Sequence, residues 1–189
     1  MTTAKKTTTT RKAKTSTSTR KSPARKPRTV AVKKKELPPN PLVSEILEAV
    51  DSERVKAKKL DLLQKYATDG LKTIFIWNFD ETVVSMLPEG PVPFQPLDGN
   101  QQADPSKGMP QRTTIANSAN KFFNFVKGGN DALNKIKRES MFINMLESVH
   151  PTEAEVLILT KDKALGSKYK ITKELVSEAY PDIRWGGRS

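Results

Sequence analysis

The chain has 189 residues, a formal net charge of +12 and no cysteine. The absence of thiols excludes disulfide staples, cysteine-ligated zinc and a thiol nucleophile, and agrees with a reducing compartment. No apolar run approaches the roughly 18–20 residues of a membrane helix, and the N-terminus has no apolar core of a secretory signal.

The charge is segregated. Residues 1–36 hold thirteen of the 33 Lys and Arg and a single acid, Glu36, so this segment carries the whole +12. Residues 37–189 hold twenty basic and twenty acidic residues and balance to zero. The thirteen cations are Lys5, Lys6, Arg11, Lys12, Lys14, Arg20, Lys21, Arg25, Lys26, Arg28, Lys33, Lys34 and Lys35. They are spaced by Thr, Ser and Pro, a composition too poor in apolar groups to offset the entropy of ordering, so disorder is expected. An organellar transit peptide shares this composition but needs an apolar side, and before Val30 only Met1 and three alanines are apolar. Cations at this density neutralise phosphates and release counterions, giving sequence-independent affinity for nucleic acid. The composition resembles that of linker-histone tails, whose Ser-Pro-x-basic element is matched once, by Ser22-Pro23-Ala24-Arg25. Acidic lipid, RNA or plain solvation are the competing uses.

Pro38, Pro39 and Pro41 form a stiff hinge that closes a leading segment of residues 1–41. From Leu42 the pattern is helical: Leu42, Val43, Ile46, Leu47 and Val50 recur at three- and four-residue spacing. A second helix is expected from about Glu53 to Tyr66, with Val55, Leu60, Leu63 and Tyr66 inward and Asp69-Gly70 breaking it. LKTIFIWNF follows as a buried helix, with a strand as its rival given Ile74, Phe75, Ile76 and Trp77. Asp80 reads as the N-cap of a short helix, ETVVSML. Six of the thirteen prolines then fall between Pro88 and Pro110, marking an irregular connection over residues 88–112. It is either a crossing segment pinned by Phe94 or a mobile loop.

Beyond it, a helix over about 113–127 presents Ile115, Phe122, Phe123 and Val126 and stops at Gly128-Gly129. Asn130 or Asp131 caps the next, with Leu133, Ile136, Phe142, Ile143, Met145, Leu146 and Val149 on a wide apolar face. Pro151 opens a helix through Leu159 with Glu153 and Glu155 in its first turn, and Thr172 caps KELVSEAY, ended by Pro181. The fold class is therefore all-α: a single compact domain of about six or seven short helices over 42–189, behind a disordered basic tail.

Catalytic patterns are few. His150 is the only histidine and reads as a helix-boundary residue. Neither a phosphate loop nor a G-x-S-x-G elbow is present, and Gly128-Gly129 follow a helix instead of opening one. Asp80-Glu81 and Glu153/Glu155 suit cap and dipole roles better than general acid–base work. The expectation is a non-enzymatic protein with no cofactor and no metal site. In the neutral body, Lys161, Lys163, Lys168, Lys170 and Lys173 surround Tyr169 as a possible second basic edge. Asp162 and Glu174, interleaved with them, favour an ordinary solvated face. Trp185 lies beyond the last helix, to fold back on the body or anchor a partner.

Several segments resemble a family of uncharacterised proteins encoded by large contractile-tailed phages of marine cyanobacteria. These are IFIWNFDETVVSMLPEGPVPF, FFNFVKGGN and the run from KRESMFINMLESVHPTEAEV to AYPDIRWGG, together spanning about residues 42–187. The ordered elements are W-N-F-D, L-P-E-G-x-V-P, F-V-K-G-G-N, R-E-x-M-F-I and E-S-V-H-P-x-E-A-E. The family has no activity to carry over. The resemblance implies context: a phage product in the host bacterial cytoplasm or packaged in a virion, while the expected association with DNA rests on the charge of the tail. The basic tail is outside it. The expected partners are nucleic acid, foremost duplex DNA without sequence preference, and an unidentified phage or host protein, with no membrane. A virion or interaction component with an incidental solvating tail is the alternative.

Overall fold

A computed structural model describes residues 37–96 and 113–187. The chain divides into two units, Met1–Lys35 and Glu36–Ser189, and every described residue belongs to the second. The thirteen tail cations, the disorder expected of them and residues 97–112 of the proline-rich connection lie outside the described residues.

Among the described residues the fold is all-α, with eight α-helices, one 3₁₀ helix and a single antiparallel bridge between Ser85 and Val126. Helix α1 (Val43–Ser52) buries Val43, Ile46, Leu47 and Val50, the stripe its spacing dictates. Helix α2 (Lys56–Lys65) starts later than expected because Glu53 leaves α1 in an extended conformation. Val55 is consequently exposed, and Leu63 supplies the buried contact.

Asp69 and Gly70 do not break a helix; they open α3 (Asp69–Phe79), whose cap is Thr68, accepting from the Leu71 amide at 3.2 Å. Gly70 is required by packing. A Cβ there would stand 2.7 Å from the Ala116 Cα, so the missing side chain lets α3 approach the backbone of the next helix. The helical alternative prevails over a strand because α3 is enclosed along most of its girth, burying Leu71, Ile74, Phe75, Trp77 and Asn78.

The helix expected after Asp80 is absent. Residues 81–82 turn, and 84–86 pair with 125–127 through Met86 N–H to Phe125 O (2.8 Å) and Lys127 N–H to Val84 O (2.9 Å). Consecutive β-branched Thr82, Val83 and Val84 suit this extended run better than a helix. Of the proline-rich connection, Val92 and Phe94 pack on the core.

The helix expected over 113–127 is one turn of α-helix, α4 (Ile115–Ser118), continued as a 3₁₀ helix (Ala119–Phe125). Its three-residue period superimposes Phe122 and Phe125, both buried, and turns Phe123 outward at 51% exposure. Helix α5 (Lys135–Ser148) is capped by Asn134, not Asn130 or Asp131, with Asn134 Oδ1 accepting from the Ile136 amide at 2.9 Å. That later start leaves Ile136 73% exposed and places Phe142, Met145 and Leu146 in the core. Helix α6 (Pro151–Lys161) has Pro151 at its first position and His150 as cap, Nδ1 accepting from the Thr152 amide. Two short helices, α7 (Leu165–Lys168) and α8 (Lys173–Ala179), complete the body, the second capped by Thr172.

Helices α3 and α6 hold the centre. Helix α3 packs on α4, α6, α8 and the 3₁₀ helix, while α6 packs on α1, α3, α5 and α7. Trp77 lies parallel to Phe125 at 6.1 Å, and Phe142 meets Phe125 edge-on at 5.2 Å, giving one continuous aromatic core.

Candidate functional site

The lysines of the possible basic edge leave the C-terminus of α6, cross α7 and enter α8. The structure brings them onto one stretch of chain but commits most of them internally. Lys161 has a side chain with no exposure. Its ammonium donates to Pro88 O (2.9 Å), Gly90 O (2.8 Å) and Asp162 Oδ1 (2.5 Å). An ammonium has three donors, and all three are used, which offsets its removal from water. Lys161 thus pins the start of the proline-rich connection to α6 and is withdrawn from any phosphate face.

Lys163 takes the left-handed conformation (φ 55°) that ends α6 and donates to the Asp80 carbonyl at 2.8 Å. Lys168 pairs with Glu155 at 2.5 Å. Desolvation, the largest single influence, pulls its ammonium down, but the hydrogen bond to Glu155 and the negative charge of Glu155 and Tyr169 together raise it. Lys170 is 82% exposed and 3.9 Å from Asp51, whose Oδ1 also accepts from the Lys170 amide at 2.9 Å. Lys173 lies over the Trp185 ring at 5.4 Å, and Trp185 packs back on the core. Tyr169, at the middle of the set, is buried, which pushes its hydroxyl up. Lys163, Lys168 and Lys170 remain exposed, but the first is tied to a carbonyl and the other two face carboxylates.

The polar residues that organise the body were not legible as such. Glu153, read as a first-turn acid of α6, is fully buried and reaches two other helices. Its Oε1 accepts from the Val43 amide of α1 and its Oε2 from the Ile115 amide of α4, both at 3.1 Å. One carboxylate therefore satisfies orphan donors at two helix starts. Burial raises its proton affinity, against the lowering effect of those amides and of His150. Asn78 acts likewise for α7, accepting from the Leu165 amide at 3.0 Å. Asp80 is buried at the end of α3 and gathers the C-terminal segment through the Gly186 amide at 2.9 Å.

Arg138 is the fourth such residue. It sits in the first turn of α5, is 3% exposed, and donates to Asn124 O (2.8 Å) and Asn130 O (2.9 Å). Asn130 Nδ2 donates to Asn124 Oδ1 at 2.8 Å, closing a knot between the 3₁₀ helix, the Gly128-Gly129 turn and α5. Only the adjacency of a paired glycine turn to a Lys-Arg run hinted at it.

Among the described residues no three His, Cys, Asp or Glu gather as a metal site, and no helix is long and apolar enough to cross a membrane. The buried ionic groups are bound to backbone amides and carbonyls that join elements, a structural use.

A family model described as a family of unknown function (DUF6433) matches residues 46–167. No curated protein matches the chain. No solved structure does either.

Proposed function

The chain belongs to DUF6433, a family of unknown function, and from that premise we propose that this member is a non-enzymatic, phage-encoded, nucleic-acid-associated protein. Its basic segment 1–36 binds the phosphate backbone without sequence preference, and its helical body docks a protein partner. It acts in the host bacterial cytoplasm on DNA, or within the virion.

The observation that carries the reading is the charge segregation: +12 in residues 1–36 against zero in residues 37–189. The geometry of the body supports it from the other side. Lys161 and Lys163 are tied to backbone carbonyls, and Lys168 and Lys170 face carboxylates. The net positive charge of the chain therefore lies with residues 1–36. The reading of the body as a docking unit rests on large apolar side chains left in solvent, Ile136 and Phe123 foremost. Those side chains also favour the second reading, an interaction or virion component whose tail only solvates it.

Titration of the full chain with duplexes of unrelated sequence tests the proposal. If half a dozen tail cations meet phosphates, log K falls against log[salt] with a slope of about −5, alike for every duplex. A flat salt dependence, or no binding at low salt, leaves the interaction reading in its place.

A further inference from the structure

Four large apolar side chains stand out on the described surface: Val55, Val84, Phe123 and Ile136. Three of them lie on segments that hydrogen bonds tie to one another. The Lys127 amide donates to Val84 O, and the Arg138 knot joins Asn124, next to Phe123, to the first turn of α5, which carries Ile136. Gly129 lies directly against the Phe123 carbonyl. The segments that carry Phe123 and Ile136 are thus joined through the buried Arg138 guanidinium, which donates to the Asn124 and Asn130 carbonyls.

These segments carry more basic than acidic residues, with Asp131, which accepts from the Gly128 amide, and Glu139 as their acids. Lys121, Lys127, Lys135 and Lys137 are all exposed. Lys135 has Glu139 at 3.9 Å, and the other three have no ion pair among the described residues. This contrasts with the lysines of 161–173. The first turn of α5 holds Lys135, Lys137 and Arg138 and no acid, although the helix dipole makes that end positive already. Such a placement is unfavourable in the isolated body and is relieved by negative charge brought from outside.

We propose that these segments dock an acidic stretch of a partner protein, whose aliphatic or aromatic side chains seat on Phe123, Ile136 and Val84 while its carboxylates meet Lys121, Lys127 and Lys137. The proposal rests on the reading of the body as a docking unit and names its partner's chemistry. Charge selects against the other occupants. The chain's own segment 1–36 carries the same sign. A second copy joined through the same segments sets lysines against lysines. Nucleic acid uses the lysines and can stack on Phe123, but offers no aliphatic surface to take Ile136 out of water.

The test compares two fluorescent peptides bound by the full chain: one of Asp and Glu interspersed with Leu and Phe, and one with Ser at every Leu and Phe position. The basic segment attracts both equally, so only an apolar seat discriminates. The expected result is about a tenfold preference for the apolar-bearing peptide at ~150 mM salt, the scale of burying a few anchor side chains. Phe123→Ser with Ile136→Ser abolishes the preference. Lys127→Glu with Lys137→Glu weakens the apolar-bearing peptide about tenfold, with unchanged circular dichroism. Equal binding of the two peptides overturns the proposal, as does a preference that survives Phe123→Ser with Ile136→Ser. So do substitutions that instead weaken a single-stranded oligonucleotide or dissociate a dimer. Duplex binding measured in parallel keeps the readings apart: its loss with the peptide preference intact removes only the DNA role of the tail.

Discussion

At the scale of single residues, buried charge is spent on joining helices. Glu153 is the clearest case, because its two oxygens serve amides that are far apart in sequence, at Val43 and Ile115. Burial is the larger influence and holds its proton affinity above the ordinary carboxylate value of 4.5. The sign follows from linkage. A raised folded-state value means that its contribution is fully present below about pH 4.5 and is lost as pH rises through the raised value. Glu153→Gln removes that titration while keeping one acceptor. The stability of wild type relative to Glu153→Gln is therefore expected to fall as pH rises above about 4.5, as read by urea denaturation at several pH values. A wild type that gains on the variant over that range means that the two amides outweigh burial.

At the scale of elements, close backbone approaches decide what the periodicity leaves open. A Cβ on Gly129 would lie 2.0 Å from the Phe123 carbonyl oxygen, and backbone cannot yield as a side chain can. Gly129→Ala is expected to destabilise the body by about 2–4 kcal/mol and to loosen the 3₁₀ helix. Hydrogen exchange checks this: the Phe125 and Lys127 amides should lose protection before those of α1. Unchanged stability contradicts the packing described. Helix α1 was legible from its apolar stripe, and α6 and α8 from their start signals, Pro151 after His150 and the Thr172 cap. The stretch after Asp80 was not. A capping aspartate and a short apolar run look alike whether a helix or a paired extended segment follows, and the pairing partner, residues 125–127, lies some forty residues away. The break from α4 to 3₁₀ was equally hidden, since Phe122, Phe123 and Phe125 satisfy either period until the packing selects one.

At the scale of the whole molecule, charge is divided along the sequence: +12 in residues 1–36 and zero in residues 37–189. The composition break near Pro38 was legible in full, because it needs only counting. The use of the body's lysines was not. Lys161 and Lys170 look alike in sequence, yet one side chain has no exposure and the other is 82% exposed. The difference comes from the carbonyls of Pro88 and Gly90, which reach Lys161 from over seventy residues away. The exposure of Phe123 was hidden for the same reason, since it reads as core until the 3₁₀ helix turns it outward.

The most direct measurement replaces all thirteen Lys and Arg of residues 1–36 with Gln in the full chain and compares duplex-DNA affinity with wild type at ~50 mM salt. The substitutions take the net charge from +12 to −1 while leaving residues 37–189 untouched. The account predicts a loss of at least about 10²-fold and a salt slope close to zero, with helical circular dichroism unchanged. Wild-type affinity retained by the neutral-tailed protein contradicts it, and moves the phosphate-binding site onto the helical body.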